Sequence, residues 1–235
     1  MLDAAAKAFA QIWTPPFRAV LLKSVGLTLL VLLAVWFGLE FLVTQYVRLP
    51  YAWMDTALAI VFGLGLFVGM IFLVPPVSAL VAGFFLDDIA AEVERQHYPS
   101  DPPGRPVPTG RGMLLALRFT GLVVLVNLLA LLLLLLPGIN VVVFFVANGY
   151  LLGREYFEMS ALRHLPEPEA LALRRANAGR VFVAGLLVAA LAIVPIANLL
   201  TPLFGTAFMA HVFKDVARQA RLSAAGSYPD SGRYR

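Results

Sequence analysis

The chain has 235 residues, of which 60% are hydrophobic and only 14% are charged, and its formal net charge is +4. Because a soluble domain usually carries about 25% charged residues, a soluble core of this length cannot cover so much apolar surface, and lipid must cover much of it. The composition therefore predicts an integral α-helical membrane protein. No nucleic-acid partner is expected, since the basic residues flank apolar runs as they do at the cytoplasmic ends of membrane spans.

The first predicted element is a short amphipathic helix over residues 3–13. Phe9 and Trp13 lie on one side of this helix, and Lys7 lies off that side. A helix of this kind rests in the headgroup layer, with its apolar face toward the acyl chains.

The first membrane span is predicted over residues 17–47, directly after Pro15-Pro16, where proline sacrifices no helical hydrogen bond. At 1.5 Å per residue this run is about 45 Å long, more than the roughly 30 Å hydrocarbon core. The helix must therefore tilt or project into water. Glu40 lies inside the run, and Arg48, two turns on along the same face, is its candidate partner. A position of Glu40 near the outer interface is the alternative.

The second span is predicted over residues 54–76, within a stretch that carries no charge from position 56 to position 86. Pro75-Pro76 predicts a break or a kink near the far interface. An amphipathic exit helix is predicted over residues 77–98, where charged residues return, and a loop rich in proline and glycine follows.

Two similar helix–turn–helix units are predicted in the second half of the chain, over residues 113–159 and 167–213. Their turns share the pattern Pro-x-x-Asn, at residues 137–140 and 195–198. The shared turn is a weak internal repeat.

The arms of these two units are short for membrane spans. Residues 139–153 and 181–194 would form helices of about 22 Å and 21 Å, against roughly 30 Å of hydrocarbon. The turns carry no charge while both ends of each unit are basic, which favours hairpins that dip into the bilayer from one side. Asn140 and Asn198 are expected to cap the local backbone in the turns.

The whole layout predicts an all-α integral membrane protein with two long transmembrane helices, two membrane-dipping helical hairpins and amphipathic interfacial helices. We expect a single membrane domain over residues 1–221 and a polar C-terminal tail over residues 222–235. Apart from Arg48, the flanking basic residues fall on one face if both termini are cytoplasmic. The protein is therefore expected to be multi-pass with both termini in the cytoplasm.

The sequence offers no catalytic signature. It contains no cysteine and no HExxH, G-x-S-x-G, Walker A or Rossmann pattern, so we expect no enzymatic activity, no cofactor and no metal site. His97 and His164 lie in polar linkers and are expected on the solvated surface. His211 ends the last apolar run and is expected to anchor at the interface, with a proton or ligand role as the alternative.

The start of the first span holds the candidate anion-binding residues. Arg18 lies in the first turn, where a helix N-terminus presents unpaired N–H groups and the guanidinium adds a forked donor. An oxyanion such as sulfate suits this arrangement, and a positive-inside anchor is the alternative. Lys23, about one and a half turns deeper, either snorkels back to the interface or lines a pathway.

Polar residues within the apolar runs are candidates to line a pathway. Asn127 and Asn148 lie within the hairpin helices and either form interhelical hydrogen bonds or face a pore. The full candidate set for pathway lining is Glu40, Asn127, Asn140, Asn148 and Asn198.

The order of these elements resembles the CysZ-type sulfate permeases, the bacterial branch of the etoposide-induced-protein family. The similarity covers about residues 5–220 and rests on several stretches that occur in the same order. These stretches are residues 75–77, 86–90, 136–140, 154–158 and 193–199.

The resemblance implies two full spans, two dipping hairpins and a homo-oligomer in the bacterial inner membrane. It implies sulfate binding at a glycine-hydrophobic-arginine turn, matched here by Pro16, Phe17 and Arg18. Ala19 stands where a second arginine often lies, and Pro16 in place of glycine removes one backbone N–H. The sulfate-binding set implied is Phe17, Arg18 and Ala19, with Lys23 close by.

The predicted function is that of a sulfate permease or channel that mediates sulfate uptake for cysteine biosynthesis. A dianion needs a water-filled route lined by hydrogen-bond donors to cross hydrocarbon. The alternative is a non-transport membrane scaffold or membrane-shaping protein, because hairpins and amphipathic helices on one face wedge a leaflet. That alternative predicts effects on lipid without flux of a solute.

Overall fold

The computed structural model describes residues 1–47, 52–106, 139–194 and 197–226. Every regular element within these ranges is helical, which agrees with the predicted all-α class. The elements in chain order are α1 (Leu2–Ile12), α2 (Pro15–Tyr46), α3 (Ala52–Gly83), α4 (Leu86–His97), α5 (Ile139–Leu162), α6 (Glu167–Ala176), α7 (Ala178–Ile193), a 3-10 turn (Ala197–Leu200) and α8 (Thr201–Gly226).

Two of the described helices are long and apolar enough to cross a membrane. They are α2, with 32 residues, and the Trp53–Met70 segment of α3, and they pack against each other. Only 17% of the most apolar window of α2 is buried, and none of the α3 segment is. Since these exposed faces are apolar, a hydrocarbon environment suits them and water does not.

Of the break or kink predicted at Pro75-Pro76, the structure shows no break. The helix continues through both prolines to Gly83, so the predicted exit helix over residues 77–98 starts as part of α3. The chain turns only at Phe84 and Phe85, where the Phe84 N–H donates to the Val81 carbonyl at 3.2 Å. Proline is tolerated inside membrane helices when neighbouring groups satisfy the freed carbonyl, so it marks a helix end less reliably there.

The remaining helices form a bundle around α8. Helix α8 packs against α1, α4, α5 and α7, and its residues from Leu203 to Phe213 are almost completely buried. The side chains of Phe17, Ile89 and Phe157 are also fully buried in this core. The bundle is therefore packed like the interior of a soluble protein, with α2 joined to it at its first turn.

Helices α5 and α7 cross at a glycine contact. Gly149 and Gly153 on α5 are four residues apart, a spacing that lets two helix backbones approach closely. A Cβ atom on Gly153 would lie 2.5 Å from the Val181 carbonyl oxygen, and one on Gly185 would collide with the Gly149 carbonyl oxygen. No larger residue fits at Gly185 without separating the helices.

The predicted unit over residues 167–213 forms a helical hairpin with a bent entry. Helices α6 and α7 meet at 87° around Asn177, as in a broken span or a re-entrant segment. Helix α7 has 16 residues, or about 24 Å. Helix α8 extends to Gly226, well past the predicted end of the hairpin.

The predicted unit over residues 113–159 is only partly described. Its first arm and its Pro137 turn lie outside the described residues, and its second arm is α5. Helix α5 has 24 residues, about 36 Å, because it continues past Gly153 to Leu162. The short apolar run therefore underestimated the length of this helix.

Candidate functional site

The start of α2, where an anion site is expected, has few backbone donors to offer. The N-cap residue is Thr14, and its N–H donates to the Gln11 carbonyl at 2.9 Å. Pro15-Pro16 occupies the first two helical positions and has no N–H. The Arg18 N–H donates to the Thr14 carbonyl at 3.0 Å. Of the first three helical residues, only Phe17 has a backbone N–H that can donate a hydrogen bond to an anion.

The predicted sulfate-binding side chains do not converge on one point. Phe17 is completely buried in the core, whereas Arg18, Ala19 and Lys23 are exposed. Lys23 follows Arg18 by five residues, which puts the two side chains about 140° apart around a helix of 3.6 residues per turn. Sulfate binding at this turn stays a prediction, and it depends on the Arg18 side chain and the Phe17 N–H.

Glu40 faces a groove of about 450 Å³ between α2 and α3, which Asp55, Trp36 and Thr44 also line. Two carboxylates on one groove repel a dianion. The groove is therefore unsuited to sulfate, although Glu40, which faces it, was predicted to line a pathway. Arg48, the candidate partner of Glu40, lies outside the described residues.

The four asparagines predicted to line a pathway are not brought together by any described contact. Asn127 lies outside the described residues, and Asn140 lies in the first turn of α5 without a described side chain. Asn148 is half-buried on α5. Asn198 is half-buried in the 3-10 turn, where its backbone N–H donates to the Val194 carbonyl at 2.7 Å.

A buried polar chain in the bundle was missed by sequence reasoning. His211 is 1% exposed inside the bundle instead of anchoring at an interface. Its Nδ1 accepts from the Tyr98 hydroxyl at 2.8 Å, and its Nε2 donates to Gln11 Oε1 at 3.2 Å. The amide of Gln11 in turn donates to His97 Nδ1 at 3.0 Å. Since Gln11 Oε1 can only accept, His211 Nε2 carries a hydrogen, and the bond from Tyr98 to Nδ1 is the one made by a neutral ring. These bonds join α1, α4 and α8.

A second network surrounds Glu94 on α4. Its carboxylate accepts from Arg163 Nε at 3.1 Å, from His164 Nε2 at 3.0 Å and from the Gly104 N–H at 2.9 Å. Burial alone would raise the pKa of Glu94, but the hydrogen bonds from His164, Arg163 and Gly104 outweigh it and lower the pKa to about 2. Arg163 also pairs with Asp87.

The Glu94 network fixes the loop after α4 against the end of α5. Arg163 is 4% exposed, and its carbonyl accepts from the Arg105 N–H at 2.8 Å. His164, expected on the solvated surface, is half-buried and stacks on Phe213 with ring centroids 5.3 Å apart. One signal in the sequence could have indicated a buried polar network. His211 and Lys214 lie at the end of an apolar run, where polar side chains come next to a hydrophobic core.

The chain matches a known protein family over most of its length. The family described as EI24, Sulfate transporter CysZ/Etoposide-induced protein 2.4, matches residues 4–202 of this chain. No curated protein sequence matches the chain. The family match covers α1 to α7 and the 3-10 turn, and it ends at the start of α8.

Proposed function

The chain belongs to the EI24 family, Sulfate transporter CysZ/Etoposide-induced protein 2.4, and from this membership we propose that it is a sulfate permease or channel. In this proposal it mediates sulfate uptake across the bacterial inner membrane for cysteine biosynthesis, as a homo-oligomer with both termini cytoplasmic. The family is a transporter family and not an enzyme family. The observation that carries the proposal is the match over residues 4–202 in a chain with two helices able to span a membrane.

The buried face of α2, which carries Ser24 and Thr28, supports a route for an anion. Ser24 and Thr28 lie one turn apart on this face, 4% and 2% exposed, and their hydroxyls have no hydrogen-bond partner in the part of the chain that the structure describes. The buried hydroxyls of Ser160 and Thr206 donate to a carbonyl four residues back, whereas that of Thr201, at the start of α8, also lacks a partner among the described residues. An oxyanion only accepts hydrogen bonds, so two buried hydroxyls that are free to donate suit its passage. We place the route along this face of α2.

Arg18 then has a defined role in the proposal. With both termini cytoplasmic, the start of α2 lies at the cytoplasmic mouth of the route. A guanidinium there attracts an oxyanion through charge and a forked pair of donors. The carboxylates of Glu40 and Asp55 share a groove near the other end of α2, so we place the outer entrance away from that groove.

The driving force of the proposed flux is not nucleotide hydrolysis by this chain. The sequence has no Walker A motif. Flux would follow a sulfate gradient, be coupled to another ion, or be drawn by reduction of sulfate in the cytoplasm.

Uptake of radiolabelled sulfate into proteoliposomes tests the proposal. We expect wild-type protein to exceed empty vesicles and Arg18→Gln to reduce uptake. Ser24→Ala combined with Thr28→Val should also reduce it, since both changes remove a donor and keep the size. Arg175→Gln, at an exposed arginine of α6, is the matched control and should leave uptake unchanged.

Two outcomes of the same assay would count against parts of the proposal. Uptake that survives Arg18→Gln keeps the permease and moves the anion site away from α2. No uptake above empty vesicles, by protein shown to be folded and inserted, would reject the permease. Deformation of vesicles without flux would then support the membrane-shaping alternative.

A further inference from the structure

A polar pocket lies between the loop after α4 and the C-terminal half of α8. Its volume is about 360 Å³. The side chains that matter for its chemistry are those of Tyr98, Asp101, His164, Lys214, Arg218 and Arg221. The three α8 cations lie beyond residue 202, where the family match ends.

One face of α8 supplies the positive charge. Lys214, Arg218 and Arg221 are spaced four and three residues apart, which stacks them on the same side of a helix. Against these three cations the pocket has one carboxylate, that of Asp101, whose Oδ2 lies 3.0 Å from Lys214 Nζ. Neither guanidinium forms an ion pair with a described residue. The pocket therefore carries an excess of positive charge.

The geometry of this pocket distinguishes it from a solvated basic surface. Lys214 is only 8% exposed, and its Nζ lies 5.5 Å from the centre of the Tyr98 ring. Tyr98 is itself held by its bond to the buried His211. The Asp101 N–H donates to the Tyr98 carbonyl at 3.0 Å. Lys214, the Tyr98 ring and the loop are thus fixed before any ligand binds, which lowers the entropy lost on binding, whereas Arg218 and Arg221 are exposed at the pocket.

We propose that this pocket binds a tetrahedral oxyanion, either free sulfate or the phosphate of a lipid headgroup. The ligand would lie between Arg218, Arg221 and the Nζ of Lys214. At about 30 Å³ per water, the volume holds an oxyanion together with several waters, so binding should weaken as salt rises. The site is separate from the start of α2, and the inference stands whether or not the chain transports sulfate.

Equilibrium binding of radiolabelled sulfate to the purified full chain tests this inference. The chain is kept in lipid-free non-ionic detergent at low salt and carries Arg18→Gln, which removes the side chain expected to bind at α2. We expect binding to persist in this background. Adding Arg218→Gln and Arg221→Gln should weaken it about tenfold or more, since each charge-assisted hydrogen bond contributes strongly.

Two further variants keep the test interpretable. Arg105→Gln with Arg175→Gln removes the same charge from exposed residues outside the pocket and should leave binding unchanged. Asp101→Asn removes the competing carboxylate, so sulfate should bind more tightly than to the Arg18→Gln chain. A purely structural role of these residues would not produce that increase. Equal loss in the control pair, or no change on removing Arg218 and Arg221, would overturn the proposal.

Nanodiscs identify which source of oxyanion occupies the pocket. Sulfate binding that is equal in phosphatidylcholine and phosphatidylglycerol discs assigns the pocket to the free ion. Binding that is kept in phosphatidylcholine, whose phosphate is neutralised by choline, and lost in phosphatidylglycerol assigns it to the phosphate of an anionic lipid headgroup. If sulfate uptake fails in the wild type while pocket binding persists, the transport proposal fails and this site remains.

Discussion

The pair of long helices and the bundle differ in how their apolar side chains are covered. Helices α2 and α3, the long pair, touch mainly each other and leave apolar side chains such as Phe67 exposed, at 59%. In the bundle of α1, α4, α5, α7 and α8, side chains such as Phe157 and Phe208 are completely buried. Since lipid is as apolar as leucine, the long pair needs no protein partner to cover it, whereas the bundle must cover itself.

The polar groups follow the same division. Among the described residues, the long pair carries Ser24 and Thr28 as buried hydroxyls without partners, and the bundle has one such hydroxyl, that of Thr201. The bundle pairs its buried charged and aromatic-ring groups, Glu94 with Arg163 and His211 with Tyr98. A buried charge or amide is stable only when it is paired. The comparison therefore predicts that stability depends mainly on the bundle, and that the buried hydroxyls of the long pair are available to bind a solute.

The largest expected difference comes from one phenylalanine in each region. Phe157→Ala should lower the free energy of unfolding by about 3–5 kcal/mol, because a buried aromatic ring leaves a cavity. Phe67→Ala should cost less than about 0.5 kcal/mol, as exposed positions usually do. Thermal unfolding in detergent, followed by near-UV circular dichroism, measures both. A similar cost for both would show that protein, such as a second copy of the chain, covers the long pair.

Arg163→Met breaks the charged network of the bundle. Removing one partner of a buried ion pair usually costs about 3–5 kcal/mol, and here the Glu94 carboxylate would stay buried without its guanidinium, keeping only the hydrogen bonds from His164 and Gly104. Arg175→Met on the exposed face of α6 is the control and should change little. Unfolding by denaturant at neutral pH gives both values, and equal values would mean that Glu94 stays solvated.

The same network predicts a dependence on pH. The pKa of Glu94 is about 2 in the folded protein, below the ordinary value of 4.5. Its carboxylate therefore contributes stability that is full above the ordinary value and is lost as pH falls toward 2. Arg163→Met should flatten this part of the stability curve, and an unchanged acid slope in the variant would contradict it.

A smaller change is expected at the glycine contact. Gly185→Ala should cost about 1–3 kcal/mol by overpacking, because its Cβ would meet backbone atoms of Gly149 and Gly153. Gly38→Ala on α2 meets nothing within 4 Å and should be neutral or stabilising. If Gly185→Ala and Gly38→Ala change the thermal unfolding temperature equally, helices α5 and α7 are farther apart at this crossing than in the structure.

The smallest effect is expected from Tyr98→Phe. The substitution removes the donor to His211 and should cost about 1 kcal/mol. Tyr150→Phe, at a tyrosine 46% exposed on α5, is the matched control. A Tyr98→Phe chain as stable as that control would show that water replaces the lost hydroxyl at His211.

Local patterns predicted the long helices well. The first span was expected over residues 17–47, and α2 runs from Pro15 to Tyr46. The second half was expected to contain a helical hairpin around residues 195–198; the structure has α7 before these residues, and the 3-10 turn and α8 from residue 197 on, while residues 195 and 196 lie outside the described part. The ends of helices were less predictable: α3 passes Pro75-Pro76, although proline commonly ends or kinks a helix.

The candidate site was predicted only in outline. Arg18 follows from the sequence as the first-turn cation of α2, but its N–H is bonded to Thr14, which only backbone geometry reveals. The pocket at Lys214 joins α8 to the loop after α4, and the bond from His211 to Gln11 spans 200 residues of sequence. No periodic pattern relates residues that far apart.

The sequence by itself determined that this protein is helical, lies in a membrane and contains two long apolar helices. Hydrophobicity adds up residue by residue along the chain, and lipid responds to that sum without reference to other helices. Only the tertiary structure decided which polar side chains meet in the bundle, because that depends on how distant helices cross. The glycine contact of α5 and α7 and the pairing of Glu94 with Arg163 are products of that packing.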